Sequence, residues 1–175
     1  MDFLKELETL NFTTDSRQRF SSKALNTPKY LEEAINFLST SKLERSERIL
    51  AALEFASREN SFILYSYSEQ LIQLAESYSG NSGKRALSKI FLNYIQNPNF
   101  KVTPKQKEKI ITISFLWLIS NEKVAVKAFS MQTLHSLSEE YQWIRDDLKA
   151  ILIKDYNLQS TGYKACSRKI LKKLE

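Results

Sequence analysis

Apolar residues fall three and four positions apart in one segment after another, the spacing that lines one face of an α-helix. Residues 1–10 place Phe3, Leu4, Leu7 and Leu10 on one stripe, and a weaker stripe covers 16–25. Asn26-Thr27-Pro28 opens a third helix with Leu31, Ala34, Ile35 and Leu38 on its apolar side. Pro28 stands near the first helical position, where a missing N–H costs nothing, and Glu32 and Glu33 lie toward the positive end of the helix dipole. Ser41 and Glu44 have the spacing of a capping box, and the helix they start runs through Arg58. Further helices are predicted over 61–78, ending at Ser79-Gly80 with the glycine left-handed, and over 81–96, broken by Asn97-Pro98-Asn99. A second capping box, Thr103-Pro104-Lys105-Gln106, precedes an apolar helix over 105–120. Helices over 121–137, 138–154 and 160–174 complete the set, and no gap is long enough for a flexible linker.

Composition agrees with an all-α chain. Three Gly and three Pro in 175 residues are too few for the turns of a β-sandwich or barrel, and 42% hydrophobic content suffices for one continuous core. The opening MDFLKELETL is acidic and has no apolar h-region, so it reads as neither signal nor transit peptide, and a cytoplasmic location is expected. The run IITISFLWLI at 110–119 is about half the roughly 20 residues that span a bilayer. It is read as a buried helix, with Trp117 as packing, and no membrane association is expected. One cysteine, Cys166, and one histidine, His135, offer no zinc spacing, so neither metal nor cofactor is expected. Cys166 reads as a small core residue and His135 as a surface one, with no supporting nucleophile arrangement for either.

The net charge of +6 is uneven. Residues 81–109 hold Lys84, Arg85, Lys89, Lys101, Lys105, Lys107 and Lys109 against Glu108 alone, for +6. Residues 159–175 hold Lys164, Arg168, Lys169, Lys172 and Lys173 against Glu175, for +4, so the remainder is acidic.

Four segments align without gaps: ERILAALEFASR (47–58), KRALSKIFLNYI (84–95), VKAFSMQTLHSL (126–137) and YKACSRKILKKL (163–174). In each, a basic residue (Arg48, Arg85, Lys127, Lys164) is followed three places on by a small one (Ala51, Ser88, Ser130, Ser167) and seven places on by a large apolar one (Phe55, Leu92, Leu134, Leu171). Those positions share a helical face, where the small residue admits a neighbouring helix and the large one fills the space beside it. The basic positions are 85 − 48 = 37, 127 − 85 = 42 and 164 − 127 = 37 residues apart, leaving room for one more helix per unit.

This arrangement resembles HEAT repeats, with Val126, Lys127, Ser130 and Leu134 matching best, and small bacterial HEAT-like proteins in particular. The resemblance implies an α-α superhelix, a HEAT/armadillo-like right-handed solenoid of helix pairs. It implies a single domain over 1–175, with N-terminal capping helices over 1–43 and about three and a half repeats over 44–174. The family's Asp six residues before the basic position is missing, since those places hold Lys42, Ser79, Asn121 and Leu158.

If the matching helices line the inner curve, Arg48, Arg85, Lys89, Lys127, Lys164, Arg168 and Lys172 form a basic groove. The competing role for the four aligned cations is to bind carbonyls or carboxylates of the adjacent turn and so orient successive repeats. Trp143 lies 100° or more from its helix's apolar stripe at about 100° per residue, so it either packs on the next repeat or, exposed beside Arg145, joins the candidate binding face. No catalytic residue is assigned. The expected function is a non-enzymatic protein-binding scaffold or adaptor whose concave face takes a protein partner, such as an acidic segment. A nucleic-acid binder using the same groove is the alternative, and a HEAT-like DNA glycosylase stands third because its catalytic Asp with flanking aromatics has no counterpart here.

Overall fold

The computed structural model describes residues 3–39 and 43–174. Among them are ten α-helices and no strand, so the chain is all-α. The helices are α1 (Phe3–Thr9), α2 (Thr14–Asn26), α3 (Pro28–Leu38), α4 (Leu43–Glu59), α5 (Ser68–Ser77), α6 (Asn81–Gln96), α7 (Pro104–Ile119), α8 (Val124–Leu137), α9 (Trp143–Asp155) and α10 (Thr161–Lys173). Two compact units divide the chain, residues 1–90 and 91–175, with the division falling inside α6.

In unit one the predicted stripe of α3 is buried at all four positions, and that of α1 at Phe3, Leu7 and Leu10, while Leu4 faces solvent. An aromatic cluster joins these helices. Tyr30 meets Phe3 and Phe20 edge-on, with ring centroids 5.3 and 5.1 Å apart, a geometry that sets ring edges against the electron-rich faces. Helix α2 begins where the Thr13 hydroxyl accepts the Ser16 N–H, and it packs on α4, where buried Ser21 donates to the Ala52 carbonyl at 2.9 Å. The capping box expected at Ser41 lies outside the described residues.

The helix expected from Ser61 starts only at Ser68. The Asn60 carboxamide accepts the Phe62 N–H and a 3₁₀ turn over Tyr65–Tyr67 follows, so a local side-chain bond replaces the first turns of the helix. Gly80 also departs from expectation, because no glycine has positive φ among the described residues. A Cβ there would lie 2.6 Å from Glu47 Oε1, the oxygen that accepts the Ser82 N–H at 2.8 Å. Gly80 therefore makes room for a carboxylate at the electropositive start of α6. At Gly83 a Cβ would fall 2.1 Å from the ring of Tyr78, so here too glycine serves close approach.

In unit two the Thr103/Gln106 capping box forms as predicted and starts α7, with Pro104 in its first turn. Trp117 is 2% exposed and stacks on Phe91, centroids 6.1 Å apart and planes within 6°. Helix α7 is not apolar-buried on every side as expected, since Leu116 and Ile119 face solvent. Helix α9 begins at Trp143 rather than Ser138, because Ser138 closes α8 by donating to the His135 carbonyl at 2.7 Å. Its apolar side, Ile144, Leu148 and Leu152, is buried.

Helices α8 and α10 run parallel. Lys127 lies over Tyr163, the Cys166 thiol points to the Ala128 carbonyl 38 positions away, and Lys173 is felt at His135. Helices α4 and α6 are parallel too, because Glu47 meets Ser82 and Glu54 meets Lys89, each an offset of 35. The aligned small residues Ser88, Ser130 and Ser167 are buried, whereas Ala51 is half-buried.

Candidate binding surface

The residues of the expected basic groove fall into three environments. Arg48 donates to the Leu10 carbonyl at 3.0 Å and pairs with Glu44 one turn earlier. Lys89 reaches across to α4, its Nζ 2.6 Å from Glu54 Oε1. Both do what the orienting role requires, tying one helix to the carbonyls or carboxylates of another segment. Glu54 is 5% exposed and also takes two N–H groups from Arg58, at 2.9 and 2.7 Å. Burial works against the charged carboxylate, but the hydrogen bonds from Arg58 and Lys89 outweigh it and hold Glu54 below the ordinary glutamate range.

Lys127 is corrected from a surface cation to a buried one. It is 5% exposed, and its ammonium lies 5.7 Å from the centre of the Tyr163 ring, whose electron-rich face attracts it with no acid partner among the described residues. Lys164 repeats the arrangement on Tyr156 at 5.8 Å. In unit two, then, the basic position of both aligned segments lies over an aromatic face.

The exposed cations form the third group. Arg85 is exposed on α6, and Arg168, Lys169, Lys172 and Lys173 are exposed along α10, none with an ion pair among the described residues. Ser160 caps α10, its hydroxyl accepting the Tyr163 N–H, and Lys172 and Lys173 end the helix where its carbonyls favour positive charge. Between α8 and α10 runs a groove of about 780 Å³. Ala128, Ala165, Cys166 and Ile170 give it an apolar floor, and Gln132, Lys169, Lys172 and Lys173 a polar rim. Small residues permit the groove: a Cβ on Gly162 would already press on Val124 at 3.3 Å.

Two titratable groups stand beside this groove. Burial raises the Cys166 thiol above its ordinary value despite Lys169, so it remains a protonated, weakly nucleophilic thiol. Burial, and then Lys173, lower His135, which is therefore neutral at pH 7 and leaves the rim's charge to the lysines. Among the described residues no three His, Cys, Asp or Glu side chains could hold a metal ion, and no helix is long and apolar enough to cross a membrane.

Trp143 is 53% exposed, as its position off the apolar stripe predicts, and its ring stacks on Phe115 with centroids 5.9 Å apart. Sequence reasoning missed the cluster of Arg17, Glu54 and Arg58 in unit one. The Glu54/Arg58 spacing of four was visible as a helical ion pair, but Lys89 joins them from another helix. Comparison with protein-family models, curated proteins and solved structures found no match.

Proposed function

We propose that the chain is a non-enzymatic protein-binding scaffold of HEAT-like helix pairs wound as a right-handed solenoid, and that α10 and its groove hold an acidic segment of a partner protein. The stacking offsets support the repeat: parallel helices touch at offsets of 35 in unit one and 38 in unit two, near the 37-residue spacing of the aligned segments. The observation that carries the binding role is the row of four exposed α10 cations without an ion pair among the described residues, set beside an apolar floor. Acidic side chains would neutralise the row while apolar side chains on the same segment cover Ala128, Ala165 and Ile170, the mode of a helix laid in a groove.

Phosphates of a nucleic acid would neutralise the same row, which is the second reading. The apolar floor favours protein, because a phosphate backbone leaves it uncovered. The test is a titration of the full chain with an acidic amphipathic peptide and with generic duplex DNA across a salt series. The peptide should bind more tightly near 0.15 M salt, roughly the ionic strength where surface charges are screened beyond about 8 Å. Replacing its apolar residues by Ala should weaken it. DNA binding that is tighter than peptide binding, with a steep log–log loss against salt, would transfer the surface to nucleic acid.

A further inference from the structure

On α4 the position aligned with buried Ser130 is Ala51, and there the helices do not close. A cavity of about 250 Å³ opens instead between α2, α4 and α6, walled by Arg17, Glu54, Arg85 and Lys89, with exposed Phe12 at its edge. Arg58 alone neutralises Glu54 through its paired N–H bonds, and Lys89 adds a second cation to that carboxylate. Arg17 and Arg85 have no carboxylate partner among the described residues. Arg17 is also held in place, its guanidinium 5.4 Å from the centre of the Phe55 ring, with Arg58 at 5.2 Å from the same ring. The other acid nearby, Glu47, is engaged with the Ser82 N–H.

These walls carry more fixed positive charge than their acids balance. The Arg17 guanidinium, fixed over Phe55, suits a tetrahedral oxyanion, because its N–H fork matches two oxygens at once. The volume lies below the roughly 300–1,000 Å³ of drug-sized ligand pockets, which limits the ligand to a small group. We propose that this cavity binds the dianionic phosphate of a phosphomonoester, Arg17, Arg85 and Lys89 taking its oxygens and Phe12 covering the organic group next to it. The site lies in unit one and is independent of the α10 surface.

The test is calorimetric titration of the full chain at constant ionic strength with phenyl phosphate and with its singly charged counterpart, phenyl sulfate. Phenyl phosphate should bind at one site, and roughly tenfold or more tightly than the sulfate, a difference of about 1.4 kcal/mol or more. Binding should weaken from about pH 7.5 to about pH 5.5, because a phosphomonoester regains its second proton near a pKa of about 6. Arg85→Glu should lose at least about tenfold in affinity with an unchanged melting temperature, since Arg85 is exposed, and Arg17→Gln should lose affinity as well. A phosphotyrosine peptide binding more tightly than phenyl phosphate would place the monoester on a partner chain, and weaker binding would place it on a small molecule; the site stands in both cases. No saturable binding, equal affinity for the two esters, or unchanged affinity in both variants overturns it.

Discussion

In unit one several cations of α4 and α6 lean on carboxylates, Arg48 on Glu44 and Arg58 and Lys89 on Glu54, while Arg85 stays exposed. In unit two the cations of α8 and α10 lie over tyrosine rings, as Lys127 and Lys164 do, or are exposed with no ion pair among the described residues, as the four along α10 are. The aligned segments share one pattern of basic, small and large residues, yet the charge is settled in two ways. A carboxylate joins two helices with directional hydrogen bonds and makes their contact depend on pH, whereas an aromatic face holds a cation weakly and without titrating. Charge tied into packing is thus found on α4 of unit one, and charge left at the surface on α10 of unit two.

The largest effect should come from breaking the carboxylate side of that contrast. Glu54→Ala leaves Arg58 and Lys89 without their acid at a nearly closed site, and should cost about 3 kcal/mol, the lower edge for a broken buried pair because both cations reach solvent. Denaturant melts would measure it. Because the folded-state pKa of Glu54 is depressed, its contribution is complete above the ordinary glutamate pKa and is lost as pH falls through the lowered one. The wild-type chain should therefore lose stability on acidification more than Glu54→Ala does. Parallel pH profiles for the two proteins would show that Glu54 does not hold α4 to α6.

The small position sets α4 apart from the other aligned helices next. Ser130 is 1% exposed and its hydroxyl has no hydrogen-bond partner among the described residues, so Ser130→Leu should overpack the α8 contact and cost about 1 to 3 kcal/mol. Ser130→Ala, which deletes only an unsatisfied hydroxyl, should be neutral or stabilising. Ala51→Leu should cost under about 1 kcal/mol, because its side chain has the neighbouring cavity to enter. Equal losses at 51 and 130 would mean that the two sites are equally closed. A smaller change comes from Lys127→Met, which keeps the packed stem and removes only the attraction to Tyr163, for about 0.5 to 1 kcal/mol in thermal melts.

The helices themselves were legible because their signals are local. Thr103 and Gln106 cap one another within a single turn, and Leu31, Ala34, Ile35 and Leu38 declare one face of α3 by spacing alone. The burial of Ser88, Ser130 and Ser167 followed from the alignment for the same reason. What the sequence hid depends on contacts between helices. Lys127 has the same signature as exposed Arg85, and only Tyr163 packing over it from α10 decides that its charge is enclosed. Gly80 reads as a left-handed helix stop, but its purpose is set by a carboxylate far earlier in the chain, at Glu47. The α10 cations were visible as a charge run, while the apolar floor beside them required Ala128 from another helix.

The smallest effect on stability should accompany the largest effect on binding. Lys169, Lys172 and Lys173 are exposed and lack ion pairs among the described residues, so the triple replacement by Glu should leave unfolding within about 0.5 kcal/mol of wild type. Some loss is expected from placing acids at the carbonyl end of α10, where the helix dipole disfavours them, and glutamine replacements separate that cost from the loss of attraction. If this row holds an acidic segment, the glutamate variant should lose binding to the acidic peptide and the glutamine variant should fall between, both at unchanged fold by circular dichroism. The same three changes should leave the pH dependence contributed by Glu54 where it was, because that carboxylate belongs to the other unit. A variant that unfolds, or one that still binds the peptide at wild-type affinity, would show that the α10 charges serve the fold or nothing at all, and the division of labour between the two units would fail with them.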